Sequence, residues 1–175
     1  MASSGTLGLG LAQAIGISGA AWLSGNIIAL SIITTSALLQ SHREDNVSLA
    51  ILAKQWRNMY AKGKAQNPPI AVAVAAAFVY LAWSAPSGKP VSSHAALSRS
   101  GLFSAAAAMT LGIVPFTFAA MAGTNNSLQR QAKSAVETSQ TETMGLLERW
   151  STLNLIRGCF PLAGAVLGLM ASLME

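Results

Sequence analysis

The sequence predicts an all-α membrane protein, a four-helix bundle with an amphipathic interfacial helix in its first cytosolic loop. Three observations carry that prediction. Hydrophobic residues make up 52 % of the 175 and charged residues only 10 %, with the apolar ones gathered in long blocks. Four runs, Leu7 to Leu39, Pro68 to Pro86, Gly101 to Asn126 and Ser151 to Met174, are uncharged apart from Arg157 in the last. About 20 helical residues cross a bilayer, so each run is long enough to span or nearly so. The third observation is the placement of charge. Arg43, Lys54, Arg57, Lys62 and Lys64 fall between the first two runs, and Arg130, Lys133 and Arg149 between the last two, against Lys89 and Arg99 on the other side. Eight against two puts both long loops in the cytosol and both termini opposite.

The chain is the length of one domain, read as a single four-span unit over 1–175 with spans near 7–39, 69–86, 101–123 and 150–174. The net charge of +5 is accounted for by topology, which argues against nucleic acid as a partner and leaves the lipid bilayer. No basic segment opens the chain, so an uncleaved first helix is favoured over a signal peptide. Cys159 is alone and reads as a small apolar residue.

In the first span Gly8, Ala12, Gly16, Ala20 and Ser24 recur every four residues, a face that lets another helix backbone approach closely. Gln13 and Asn26 are the polar exceptions in that span, and each suits an interhelical hydrogen bond. From Ser48 to Gly63, Leu49, Leu52, Trp56, Met59 and Tyr60 share one arc of a helix and the basic residues take the rest. Asp45 or Asn46 is expected to cap it and Asn67-Pro68-Pro69 to stop it. Trp56 and Tyr60 are either interface anchors or the cover of a site.

The second span is Ala and Val rich and reads as scaffold, and the Ser-, Pro- and Gly-rich loop after it contains His94. Pro115 is placed to kink the third span, and Gly123-Thr124-Asn125-Asn126 to end it in a turn. The polar stretch from Ser127 to Thr143 either extends that helix or does not; composition leaves both open. In the fourth helix Trp150, Asn154, Arg157 and Pro161 stand at i, i+4, i+7 and i+11 and so form one stripe. Polar groups there are expensive to bury, which marks the stripe as a candidate site, unless Arg157 snorkels to the surface. Gly164, Gly168 and Ser172 form a second small-residue face, and such faces leave room for a homo-oligomer.

Four stretches, GNIIALSIITTSALL, LAKQWRNMYAKGKAQNPP, AGTNNSL and ERWSTLNLIRGCFPLAGAVLGL, give the chain a resemblance to the DUF1772 family, which includes the fungal anthrone oxygenases. The resemblance runs from about Gly25 to Leu169, and departs from the pattern at Ser36, where a proline is expected, and in the polar stretch after Asn126. It implies a small integral membrane monooxygenase of fungal secondary metabolism, in the endoplasmic reticulum or a related endomembrane. Such an enzyme converts a polyketide anthrone to an anthraquinone with dioxygen and no recognised cofactor.

The residues suit that chemistry. Two histidines, one cysteine and no Asp or Glu inside a span make a conventional metal site hard to build, so no metal and no cofactor are expected. Arg157 is the candidate electrostatic stabiliser of an anionic oxygen, and Asn154 a candidate donor to the substrate carbonyl or a peroxide. Trp56, Tyr60 and Trp150 are candidates to sandwich a flat tricycle, with Asn125 or Asn126 on the polar rim. His42 lies on the same side but its spacing does not tie it to the stripe. The competing reading is a non-catalytic four-span scaffold for a biosynthetic pathway, with Arg157 and Asn154 used in helix packing. A transporter fits less well, for want of an internal repeat.

Overall fold

The computed structural model describes residues 2–85, 98–133 and 140–174, and every regular element among them is helical. The elements are α1 (Ala2–Ala29), a π-helical turn π1 (Leu30–Thr35), α2 (Ser36–Asp45), α3 (Leu49–Ser84), α4 (Arg99–Leu111), α5 (Ile113–Phe116), a second π turn π2 (Thr117–Met121), α6 (Ala122–Lys133) and α7 (Gln140–Leu173). They make four runs of 33 to 40 residues, each long and apolar enough to cross a membrane. At 1.5 Å per residue such a run is roughly 50–60 Å long, well beyond the ~30 Å hydrocarbon layer. Part of every run therefore lies outside the bilayer core. Lys89 and His94, with Pro86 at the end of the second apolar run, lie outside the described residues, as do 134–139 of the polar stretch.

Two compact units divide the chain, and all four runs contribute to each. One comprises Met1–Ser24, Pro68–Ile113 and Cys159–Glu175. Its core is small and apolar, with Ala12, Ala20, Ala75, Ala106, Ala165 and Ala171 packed around Phe78 and Phe103. Large side chains stand on its outside instead: Trp83 is 89 % exposed and Leu173 75 %. Small inside and large outside is the pattern of helices that pack closely in lipid. The predicted glycine face does this directly, since a Cβ on Gly16 would come within 2.8 Å of the Phe78 ring.

The other unit comprises Gly25–Asn67 and Val114–Gly158. Its core is larger in residue size, built from Leu52, Trp56, Met121, Leu128, Leu147 and Trp150. The amphipathic segment is helical as expected, with Leu52, Ala53 and Trp56 buried and Lys54, Lys62 and Lys64 exposed. Across its surface Arg57 donates to the Ala132 carbonyl at the end of α6, where a cation meets unsatisfied carbonyls favourably.

Three sequence expectations are corrected. Asn67-Pro68-Pro69 does not stop a helix, because α3 runs through it to Ser84. The prolines cannot bond the carbonyls of Lys64 and Ala65, but those residues and both prolines are exposed, so solvent or headgroups can satisfy what is lost. Asn46 does not cap the start of α3: it ends α2 in the left-handed region at φ 55°, which Asn tolerates. His42 Nδ1 then donates to the Val47 carbonyl at 2.8 Å and fastens that turn. Gly123 to Asn126 is not a turn either, since α6 stays helical to Lys133. The first helical run continues past the apolar stretch to Asp45. In the third run only Gly112 separates α4 from α5, three residues before Pro115, and its backbone stays in the right-handed helical region.

Candidate functional site

The second unit contains the polar stripe of α7 as far as Arg157. Helical spacing turns Ser151, Asn154 and Gly158 toward α1 and π1, and each makes a close contact there. Ser151 Oγ donates to the Ser31 carbonyl at 3.2 Å. Asn154, fully buried, donates through Nδ2 to the Ile27 carbonyl at 2.8 Å and to Ser31 Oγ at 2.9 Å. Gly158 permits this approach: a Cβ there would stand 2.5 Å from Ile28 Cγ1. A π turn disturbs the regular ladder of carbonyls. At π1 three of these carbonyls, from Ile27, Leu30 and Ser31, accept from side chains: Asn154, Thr35 and Ser151 respectively.

Arg157 stands one turn further along α7, and its Nη1 donates to Thr117 Oγ1 at 3.4 Å, at the first residue of π2. Its Nε is buried with no hydrogen-bond partner among the described residues, and the Tyr60 phenol lies within electrostatic reach. Each π turn therefore meets one polar residue of the stripe. The guanidinium is partly buried, the state in which a fixed charge acts strongly on charge that develops beside it.

The aromatic residues come together as the sequence suggests, but not as an open slot. Tyr60 stacks on Trp56 at a centroid distance of 5.0 Å, and Trp150 meets Trp56 edge-on at 5.7 Å. Trp56 and Trp150 are buried core, so a flat ligand lies between Trp56 and Tyr60 only if the rings part. Tyr60, partly exposed, is the ring that a ligand can reach from outside. On the rim the two asparagines separate. Asn125 is buried and its Oδ1 accepts from Trp150 Nε1 at 3.0 Å, while Asn126 is exposed. Asn154 has both amide hydrogens engaged, leaving Oδ1, buried and unpartnered, as its only open atom. Among the described residues no group of three or more His, Cys, Asp or Glu side chains is placed to hold a metal ion.

The comparisons with known proteins fall on this same region. A family model described as anthrone oxygenase matches residues 56–167, which takes in Trp56, Tyr60, Asn125, Trp150, Asn154 and Arg157. The chain belongs to the anthrone oxygenase family. It is 35 % identical over 178 residues to anthrone oxygenase encC of Aspergillus fumigatus, covering 94 % of this chain and 93 % of that one. Anthrone oxygenase tpcL of the same fungus is 31 % identical, with 94 % and 95 % covered. Noranthrone monooxygenase of Aspergillus flavus is 30 % identical, with 85 % and 67 % covered. No solved structure matches the chain. Of the polar groups that organise this family member, Ser31 and Thr117 are absent from the reading of its sequence. Ser31 had a signal, as one hydroxyl of a Ser31, Thr35 pair set four apart in an apolar run. Thr117 had only its place two residues after Pro115.

Proposed function

We propose that the protein is a membrane-bound monooxygenase that converts a polyketide anthrone to the anthraquinone with dioxygen and without a resident cofactor. The observation that carries this reading is Arg157, a partly buried cation with an unpartnered Nε and with the Tyr60 phenol within electrostatic reach, in a chain of the anthrone oxygenase family. An anthrone methylene loses one proton to give an anthrolate, whose negative charge is spread onto the ketone oxygen. Arg157 stabilises that oxygen and so favours the anion. The anthrolate passes one electron to dioxygen, the resulting radical pair joins as a C–O–O bond, and protonation gives the hydroperoxide. Loss of the second methylene proton with cleavage of the O–O bond releases water and leaves the second ketone. One dioxygen is consumed and one of its atoms appears in the quinone.

In this reading Tyr60 flanks the tricycle at the partly exposed edge of the aromatic group, and Trp56 and Trp150 back it as packed core. The first proton passes to water or a buffering group, with Arg157 lowering the pKa of the substrate itself by stabilising its anion. The charge asymmetry of the two long loops supports placing them in the cytosol, and the family resemblance is what points to the endoplasmic reticulum or a related endomembrane.

The test is the initial rate of dioxygen uptake with emodin anthrone, in membranes holding equal amounts of wild type or Arg157→Met, against empty membranes and with a chelator present. A wild-type rate well above empty membranes that collapses in the variant is expected. Equal rates in all three would defeat the reading, and loss on chelation alone would transfer the chemistry to a metal.

A further inference from the structure

On the flank of α3 adjoining the Trp56 and Tyr60 face, the second unit holds a cleft of about 390 Å³. Its polar lining is Asn26 from α1, the Thr34 hydroxyl from π1, and Asn58, Lys62 and Gln66 from α3, and its apolar lining includes Leu30 and Met59. None of the residues assigned above to oxidation lines it. We infer that this cleft is a binding site for the phosphate headgroup of an anionic phospholipid, with Lys62 as the charge that recognises it.

The lining carries one cation, three carboxamides and no carboxylate. The bias extends beyond the cleft, for Leu49 to Asn67 contains Lys54, Arg57, Lys62 and Lys64 and no Asp or Glu. Asn58, Lys62 and Gln66 follow at four-residue intervals, so their donors form one row along the helix. An anion with several acceptor oxygens fits a row of that kind.

A second observation points to a ligand independently of charge. Asn67 is 2 % exposed, and its Nδ2 has no hydrogen-bond partner among the described residues, while its Oδ1 is taken by Asn26 Nδ2 at 2.8 Å. That unpartnered Nδ2 lies 3.7 Å from where a Cβ on Gly63 would stand, and Gly63 lines the cleft. A further unsatisfied donor thus lies directly behind Gly63 in the wall of the cleft.

Apolar surface continues from the same place. Leu30 forms part of the apolar lining, and Ile33, one turn along the same helical run, is 64 % exposed. A headgroup held by Lys62 can therefore leave its acyl chain on apolar surface, which a free anion does not need. This is why a phospholipid, and not free phosphate, is the occupant argued here.

The test is native mass spectrometry of the purified full-length protein with dihexanoyl phosphatidylglycerol, dihexanoyl phosphatidylcholine or inorganic phosphate. Saturable binding of one phosphatidylglycerol, tighter than phosphatidylcholine, is expected. Removing one lysine from an anionic headgroup weakens binding by about fivefold, so Lys62→Gln should do this. Lys64→Gln, two residues away on α3 but outside the lining, should change it less than about twofold. Gly63→Leu, which fills the cleft beside Leu30, should abolish it, with the two lysine variants as the comparison that does not depend on that substitution folding. Equal losses in the lysine variants, equal affinity for the two lipids, or no saturable binding would each overturn the inference. Inorganic phosphate that displaces the lipid at equal concentration would assign the site to a free anion and overturn it likewise.

Discussion

Asn154 and Ser31 are joined by a 2.9 Å hydrogen bond in which the amide donates, and the same amide donates to the Ile27 carbonyl. The partners are a hydroxyl and a backbone carbonyl beside a π turn, and Asn154 itself is fully buried. An asparagine in this setting clamps two helices before it touches any substrate. Stripping it removes both hydrogen bonds from a buried contact between the helices. Asn154→Leu should therefore lower unfolding stability by about 2–3 kcal/mol. Asn154→Asp should be as damaging, since a carboxylate cannot donate to the carbonyl. Thermal unfolding in detergent measures both, and a leucine variant as stable as wild type would show that the clamp is idle.

Thr117 bears on Arg157 differently. Its Oγ1 accepts from Nη1 at 3.4 Å, a contact that orients the guanidinium and adds little to stability. Thr117→Val keeps the shape and removes the acceptor. The expected outcome is a fall in kcat of about tenfold with KM nearly unchanged, because a misplaced charge acts on the transition state more than on substrate binding. Thr117→Ser should restore the rate. A drop in thermal stability that parallels the drop in rate, with no rescue by serine, would reduce Thr117 to a packing residue.

Trp56 and Tyr60 stack on each other yet should respond in opposite ways. Trp56 is 0 % exposed at the centre of its unit, so Trp56→Ala should cost about 3–5 kcal/mol of stability and deplete the protein in membranes. Tyr60 is partly exposed, and Tyr60→Phe keeps the stacked ring. That variant should fold as wild type and differ in KM for the anthrone. Immunoblots of membranes and oxygen-uptake kinetics separate the two outcomes, and a Trp56→Ala protein of normal abundance would contradict its place in the core.

These contrasts bear on what a sequence makes legible. The four helical runs and the small-residue face at Gly16 were readable because length and four-residue spacing are local properties of a chain. The stripe of Asn154 and Arg157 was readable for the same reason. Pro68 and Pro69 misled because a proline pair breaks a helix only where the freed carbonyls lack other partners, and here they are exposed. Asn125 and Asn126 could not be told apart by residue type, since one helical step puts the first against Trp150 and the second outside. The two π turns left no composition signal at all, although they supply the partners that hold Asn154 and Arg157.

Gly158 gives the sharpest test of how the stripe is held. A methyl group there would meet Ile28 Cγ1 at 2.5 Å, and a β-branched neighbour has little rotamer freedom with which to yield. Gly158→Ala should push α7 away from Ile27 and Ser31 and lengthen the Asn154 contacts, at about 1–3 kcal/mol of stability and with loss of oxygen uptake. Ile28→Ala alone opens a gap and is also destabilising. Combined, the two substitutions exchange one methyl for the space it needs, so their effects should not add: the double variant should be more stable than Gly158→Ala and recover oxygen uptake. Unfolding of the four proteins of this cycle gives the coupling directly, and strict additivity would show that Gly158 does not set the distance between α7 and α1.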